Sequence, residues 1–234
     1  MEYLYCEDGN FEDFSSGRVL YSGSGIPNFP VRLLNEIFGR ALSYSEKTKD
    51  VTVYDPCCGG GYALTVLGFF YNESIQKIYG SDISPEMVSY AKKNVSLLGR
   101  EGLEQRKAEL AQYYELYGKE SHRSAIDSCS KLSEMLQKEI PSEVFEADCT
   151  KPLPEIAPDL MFVDIPYGNL VEWEDASIVN TDEMLEQLWR IAKVGTVLAV
   201  CMDKKQKCHS DKWVRLEKQN IGKRRFEIYK KGEK

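Results

Sequence analysis

A strand, a glycine-rich turn and a helix follow one another in the first third of the chain, and this unit constrains the fold more than any other feature. Val51 to Tyr54 is a short β-branched and aromatic run that leads into the turn Asp55-Pro-Cys-Cys-Gly-Gly-Gly61. Apolar residues then recur at helical spacing from Ala63 to Phe70. Such a unit predicts a parallel sheet with a ligand site outside the carboxyl ends of its strands.

Further strands and helices alternate along the rest of the sequence. A first helix is expected after Phe29-Pro30, because proline is favoured in a first helical turn. Later helices are expected from Ser84, as N-cap, to Gly99, as the residue beyond the helix end, and from Thr181 to Arg190. Further strands are expected at 78–82, 144–148, 160–164 and 196–201, with 160–164 central, and a closing hairpin at 213–217 and 226–229. The pattern predicts an α/β, Rossmann-like fold: a mostly parallel twisted sheet with helices on both faces and a C-terminal antiparallel hairpin.

The chain length of 234 residues suits one α/β domain. We expect a single domain over 1–234 with an N-terminal extension at 1–29 and a helical insertion at about 101–140. The insertion is broken by Gly118 and resembles a helical hairpin outside the core. It carries Arg106 and three tyrosines, at 113, 114 and 117, which are expected to pack against the body rather than bind RNA.

Composition excludes several classes of protein. No apolar run approaches the roughly 20 residues that span a bilayer, and acids stand where a signal peptide carries lysines, so a cytoplasmic protein without a membrane segment is expected. The seven cysteines include no C-x-x-C pair, which disfavours a zinc site and predicts reduced thiols. No metal is expected.

Charge is distributed unevenly along the chain. Residues 201–234 hold 12 Lys and Arg against 5 Asp and Glu, whereas residues 1–200 hold 18 against 32. A basic C-terminal part on an acidic body suits local docking on a polyanion. A solvated, charged hairpin explains the same pattern equally well.

Four acids lie at the expected ends of strands, and the glycine turn lies among them: Asp55, Asp82, Asp148 and Asp164. One such acid usually caps a loop, but four at one edge of a sheet indicate a binding site. Gly59 and Gly61 lack the Cβ atoms that would keep a ligand away from the turn.

The spacing of these residues fits an adenosyl ligand. Asp82 follows Gly61 by 21 residues, the separation of a carboxylate that binds a ribose diol in NAD or S-adenosylmethionine sites. Asp148 is placed to accept from an adenine amino group, and Asp55 to face a methionine ammonium. Leu64 stands where a dinucleotide site prefers Gly or Ala, which disfavours an NAD-linked dehydrogenase.

The segment Asp164-Ile-Pro-Tyr-Gly168 resembles the Asp/Asn-Pro-Pro-Tyr element with which many methyltransferases hold a planar nitrogen. Asp164 and the backbone after it accept N–H bonds, Pro166 shapes the loop, and Tyr167 stacks on a flipped base. Ile165 departs from the usual proline and makes the loop less rigid.

Together these blocks resemble the avilamycin-resistance rRNA methyltransferases, a family with the Rossmann-like class I fold. The similarity runs from about residue 18 to 200 and is most specific from Asp55 to Gly68; it also includes Phe29-Pro-Val-Arg-Leu33, Ser81-Asp82 and Trp173-Glu174.

The resemblance implies S-adenosylmethionine as methyl donor and a guanine of large-subunit 23S rRNA, free or in the ribosomal subunit, as acceptor. It implies cofactor contacts by Asp55, Gly59, Gly61 and Asp82, with Arg32 near the cofactor carboxylate. It also implies catalytic roles for Asp164, Pro166 and Tyr167, and links the chain to antibiotic resistance. We expect a monomer.

Other interpretations stay open at this point. The same element can serve an enzyme that methylates DNA, protein or a small molecule. A non-catalytic RNA-binding module that kept the fold is a second class, and it predicts RNA binding without affinity for S-adenosylmethionine.

Overall fold

The computed structural model describes residues 1–23, 28–165 and 179–233. After a short 3-10 helix (Glu12–Phe14), its elements in chain order are α1 (Val31–Tyr44), β1 (Val51–Asp55), α2 (Tyr62–Phe70), β2 (Ile75–Asp82), α3 (Pro85–Ser96), α4 (Arg100–Tyr117), α5 (Glu120–Met135), β3 (Ser142–Glu146), β4 (Leu160–Asp164), α6 (Val179–Ile191), β5 (Val197–Asp203), β6 (Trp213–Ile221) and β7 (Arg224–Lys231).

The strands form one seven-stranded sheet in the order β3-β2-β1-β4-β5-β7-β6. The five strands β1 to β5 are parallel to one another, whereas β7 runs antiparallel to both β5 and β6. The mostly parallel sheet, the central position of β4 and the closing hairpin are therefore confirmed. Parallel strands end at one edge, so β1, β2, β3, β4 and β5 all deliver their last residues there.

Helices cover both faces of the sheet, but unequally. Residues from α1 to α5 pack on one face, which in β4 is the side of Leu160 and Phe162. Helix α6 packs on the other face, the side of Met161 and Val163. Alternate residues of a strand point to opposite faces, so Asp164 belongs to the face that carries Leu160 and Phe162.

Several element boundaries differ from the sequence-based expectation. Strand β2 begins three residues early, and β3 ends two residues early, so Asp148 lies beyond the end of β3 and not at it. Strand β3 begins two residues early, because the Ile78 amide donates to the Pro141 carbonyl and starts the pairing with β2 there (3.0 Å). Helix α6 begins at Val179, so Thr181 lies inside it and is not its cap. Gly99 was expected beyond the end of α3, but it has an extended φ of −125° and is the N-cap of α4.

The helical pair α4 and α5 breaks at Gly118 as predicted, with Gly118 in the left-handed conformation (φ 61°). It also contributes to the core, against expectation, through Leu103, Leu110, Ala125, Cys129 and Leu132. The tyrosines of α4 do not all pack as predicted, since Tyr113 is 41% exposed and Tyr117 65%. Arg106 does pack: it is 7% exposed and donates to the Val19 carbonyl at 2.8 Å.

The N-terminal extension is part of the same core. Phe14, Val19, Leu20 and Phe29 are buried among residues of the sheet and helices. Among the described residues, no helix combines the length and the apolar character required to cross a bilayer.

Asn94 of α3 joins the N-terminal extension to the glycine turn. It is 1% exposed, and its Nδ2 donates to the carbonyls of Tyr21 (2.9 Å) and Gly60 (2.7 Å). Its Oδ1 accepts from the Tyr21 amide at 2.8 Å. The side chain therefore fixes the position of both segments.

Replacement of Asn94 by alanine should lower the free energy of unfolding by roughly 2–3 kcal/mol, because buried groups on two segments lose their partners. It should also weaken cofactor binding through the glycine turn. Asn72→Ala is the matched control: Asn72 is 3% exposed and bonds to both the amide and the carbonyl of Lys138 (2.9 Å each), on the turn that precedes β2. Urea unfolding and calorimetric titration should show similar stability losses in both variants but weaker binding only in Asn94→Ala. Equal affinities would contradict this role.

Candidate functional site

The carboxyl edge of the sheet brings three predicted acids into one electrostatic environment. Asp55 ends β1, Asp82 ends β2 and Asp164 ends β4. Asp55 is 2% exposed, and burial raises its pKa well above the ordinary value. The negative charges of Asp164 and Asp82 raise that pKa further. An edge with this charge favours a cationic ligand.

The glycine turn connects β1 to α2 and lies against β2. The Cys58 amide donates to the Ser81 carbonyl and the Gly59 amide to Asp82 Oδ2, both at 2.9 Å. Gly59 and Gly61 have positive φ angles of 50° and 75°, which favour glycine. These contacts hold the turn across the ends of β1 and β2.

The two predicted glycines serve different physical needs. A Cβ on Gly61 would lie 2.8 Å from Ala91 Cα, so Gly61 allows the turn to pack closely against α3. A Cβ on Gly59 would meet no atom of a described residue within 4 Å. Gly59 is therefore the position where the turn can admit a ligand.

Leu64 of α2 packs against β2 at Gly80. It is fully buried, and a Cβ on Gly80 would lie 2.8 Å from its Cδ1. The glycine that lets helix and strand approach stands here on the strand, whereas a dinucleotide site has it on the helix.

Asp82 and Asp148 already accept hydrogen bonds from their own loops. Asp82 accepts from the amides of Gly59 (2.9 Å) and Ser84 (3.0 Å). Asp148 Oδ1 accepts from the amide (2.9 Å) and the hydroxyl (2.6 Å) of Thr150. Each carboxylate oxygen has two lone pairs, so these bonds orient the acids and leave acceptor capacity for a ligand.

Asp164 differs from the other acids. Its Oδ1 is buried and accepts no hydrogen bond from any described residue. Burial raises its pKa to about 6, although the positive charge of Arg224 acts in the opposite direction. A buried acceptor without a donor costs free energy, and such a cost at the end of a strand indicates a position that binds a ligand N–H. Pro166 and Tyr167, predicted beside it, lie outside the described residues.

Arg32 is held by the N-terminal segment. Its guanidinium pairs with Asp8 at 3.3 Å, donates to the Cys6 carbonyl at 3.3 Å and lies 4.1 Å from the centre of the Tyr3 ring. The structure therefore does not bring Arg32 together with the acids, and its cofactor contact stays a prediction.

Sequence reasoning missed two residues of this site, Asn94 and Arg224. The partners of Asn94 lie 73 and 34 residues away, and Arg224 comes 60 residues after Asp164. The sequence contained two weak signals: an asparagine in the helix after Asp82, and basic residues at the start of the last strand. Among the described residues, no cluster of His, Cys, Asp and Glu could hold a metal ion.

Fold and site together define a class. A sheet in this order, with a glycine turn after β1, acids after β1, β2 and β4, and an antiparallel last hairpin, is the Rossmann-like fold of methyltransferases. Two solved structures of the rRNA methyltransferase aviRa from Streptomyces viridochromogenes match the chain with TM-scores of 0.86 and 0.87, at 34% and 33% identity, over 96% of this chain and 94% of theirs.

The sequence comparisons identify the family. A curated protein from Streptomyces viridochromogenes, the 23S rRNA (guanine(2535)-N(1))-methyltransferase, is 40% identical over 171 residues, which cover 69% of this chain and 68% of that protein. The family model described as rRNA methyltransferase AviRa matches residues 1–224. The chain belongs to the AviRa family of rRNA methyltransferases, and a methyl donor of the S-adenosylmethionine type follows from that membership.

Substitution of each glycine separates packing from ligand access. Gly61→Ala should lower the free energy of unfolding by about 2–4 kcal/mol. The new Cβ would clash with the backbone of α3, and residue 61 would have to hold a left-handed conformation that alanine disfavours. Gly59→Ala should cost only about 1 kcal/mol of strain but should weaken S-adenosylmethionine binding at least tenfold. Thermal unfolding and calorimetric titration measure the two effects. Normal affinity in a folded Gly59→Ala protein would place the ligand elsewhere.

Proposed function

We propose that this protein transfers a methyl group from S-adenosylmethionine to N1 of a guanine in 23S rRNA. One observation supports it above the others: in a member of this family, a buried carboxylate oxygen on Asp164, at the end of the central strand, accepts no hydrogen bond from any described residue. The ring position and the substrate are those of the curated relative, the 23S rRNA (guanine(2535)-N(1))-methyltransferase.

The residues at the carboxyl edge fit S-adenosylmethionine. Its sulfonium and ammonium groups are cations, and the three acids supply the opposite charge. In this proposal Asp82 binds the ribose diol, Asp148 the adenine amino group and Asp55 the ammonium, directly or through water. Gly59 leaves room beside the turn. We keep Arg32 as a candidate for the cofactor carboxylate, which requires its side chain to leave Asp8.

The acceptor side of the site is assigned to Asp164 and the segment after it. In this proposal Asp164 accepts the N1–H of guanine and orients the nitrogen for in-line attack. Pro166 and Tyr167 keep their predicted roles, shaping the loop and stacking on the flipped base. The bound cofactor would supply an electrophilic methyl group. The protein positions the base, excludes water and provides a proton acceptor.

The basic C-terminal part supports an rRNA substrate. Strand β5 ends and β7 begins at the same edge, since Asp203 pairs with Arg224. The loop and turn beside them expose four lysines: Lys204, Lys205, Lys207 and Lys223. We propose that they contact phosphates next to the target base. We also propose that the chain acts as one domain and as a monomer in the cytoplasm.

Transfer of a tritiated methyl group tests the proposal. The purified protein is incubated with labelled S-adenosylmethionine and, separately, with 23S rRNA, large ribosomal subunits, DNA, protein and metabolite pools from cells that lack it. Label in 23S rRNA, recovered as N1-methylguanine by mass spectrometry, is the expected result. Label in another pool would contradict the assignment of 23S rRNA as substrate. RNA binding without affinity for S-adenosylmethionine would contradict the assignment as an enzyme.

Asp164→Asn should reduce kcat at least 100-fold while cofactor affinity changes little, because the amide cannot take up the N1 proton. The same variant should be more stable at neutral pH by roughly 1–3 kcal/mol, since it removes a buried charge whose pKa is raised by folding. Single-turnover methylation and thermal unfolding measure these opposite changes. A variant that is as active as wild type would exclude Asp164 as the base.

The pH dependence follows from the raised pKa of Asp164. Burial raises this pKa and Arg224 on β7 lowers it, while the charge of Asp164 raises the pKa of Asp55 on β1. Cys201 is the cross-strand partner of Asp164 on β5. Asp164 must be ionised to accept a proton, so kcat/KM with limiting cofactor should fall as the pH drops through about 6. A bound sulfonium favours the ionised form, so the acid limb of kcat should lie lower. A profile of kcat/KM without an acid limb in this region would contradict the assignment.

A further inference from the structure

Asp164, Cys201 and Arg224 lie near the carboxyl edge on one face of the sheet, the face that carries α1. Asp164 follows Phe162 by two residues and lies opposite Cys201 in β5. Arg224 lies opposite Asp203, which follows Cys201 by two residues. Side chains two apart on a strand, and those directly opposite on paired strands, share a face. Asp164 and Arg224 therefore point to the same side of the sheet.

Packing fixes the guanidinium of Arg224 at this point. Its Cζ lies 4.6 Å from the centre of the Phe29 ring, in stacking distance. Phe29 is 5% exposed and in turn packs edge-on against Phe162, with ring centres 5.5 Å apart. The cation is thus held on a buried aromatic ring, unlike the exposed lysines in the loop and turn beside it.

The charge of Arg224 is felt by the neighbouring groups. It lowers the pKa of both Asp164 and Cys201, against the larger effect of burial, which raises both. Asp164 and Arg224 lie on the same face of the sheet with β5 between their strands, and Asp164 Oδ1 accepts no hydrogen bond from any described residue. A ligand that offers a donor to the acid and an acceptor to the cation could lie between them.

Guanine presents such an edge at N1 and O6. Loss of the N1 proton moves negative charge onto O6, so methylation at N1 needs a proton acceptor at one atom and a cation at the next. Adenine carries an amino donor in place of O6, which a guanidinium would repel. A positively charged donor held where negative charge develops is an effective form of transition-state stabilisation.

We propose that Arg224 is a catalytic residue that donates to O6 of the target guanine and stabilises the charge that develops there, and so selects guanine over adenine. The inference rests on the proposed function. The N1 proton passes to Asp164, a bond forms between N1 and the methyl carbon, and the carbon–sulfur bond breaks with its electron pair left on sulfur. The positive charge of the sulfonium and the negative charge of Asp164 both disappear, and O6 is neutral again in the product.

The test compares Arg224→Gln and Arg224→Lys with the matched control Arg123→Gln, which makes the same substitution at an exposed arginine of α5. Steady-state methylation at varied concentrations of 23S rRNA gives kcat and KM. We expect kcat to fall about 100-fold in Arg224→Gln and about tenfold in Arg224→Lys, with KM for RNA within threefold of wild type. In Arg123→Gln, both kcat and KM should stay within about twofold of wild type.

The pH profile provides a readout that a purely structural role would not change. Without Arg224 the acid limb of kcat/KM should move to higher pH, since the charge that favours ionised Asp164 is gone. The deficit of Arg224→Gln should shrink between about pH 7 and about pH 9, as N1 loses its proton to solvent without help. Neither change is expected in Arg123→Gln.

The outcomes distinguish the two proposals. If wild-type protein methylates no 23S rRNA, the proposed function fails. If wild type produces N1-methylguanine but Arg224→Gln keeps its kcat, or if only KM changes, the role of Arg224 fails alone and the residue is a phosphate contact. If Arg224→Gln does not fold, Arg224→Met takes its place, because a folded variant that has neither the charge nor a donor and yet keeps the wild-type kcat would exclude the role of Arg224. Methylation at a ring atom other than N1 would also overturn it.

Discussion

The site depends on repulsion between carboxylates that the parallel sheet brings to one edge. Strands that run in one direction end at one edge, and here β1, β2 and β4 each end in an aspartate. Backbone amides of Cys57, Gly59 and Ser84 donate to two of these acids, yet burial and mutual repulsion still raise the pKa of Asp55 well above its ordinary value. Burial and this repulsion disfavour the ionised form of Asp55, and in the proposed function a positively charged cofactor at the edge would offset the repulsion.

Local sequence was sufficient to predict the elements that form this edge. The apolar strands, the glycine turn and the acids after them were all predicted, because each depends on residues adjacent in sequence. Boundaries set by pairing were predicted less well: β3 starts where Pro141 meets β2, and Gly99 caps the next helix rather than ending the previous one. Arg224 and Asn94 were missed, because their roles arise from contacts that no short pattern encodes.

The helical pair shows why a stripe of side chains can mislead. Leu103, Arg106 and Leu110 follow one face of α4 and are buried, and the same spacing continues to Tyr113 and Tyr117. The last turns extend past the body, so these tyrosines meet only His122 of α5 among described rings, at 5.7 and 6.2 Å, and stay largely exposed. The buried part of the stripe holds the N-terminal extension, which Asn94 links to the glycine turn. The insertion therefore supports the cofactor side of the site.

The basic C-terminal part is less available for RNA than its net charge implies. Arg215, Lys218 and Arg225 all pair with the buried Glu227. Farther along β7, at the amino edge of the sheet, Lys230 pairs with Glu46, and Lys231 donates to two carbonyls near the end of α6. These cations stabilise the hairpin, whereas the exposed lysines lie at the other end, beside Asp164 and Arg224. Cations away from the site are therefore paired, whereas those beside Asp164 and Arg224 are exposed. In the proposed function a base enters at this edge, so docking and base recognition favour the same edge.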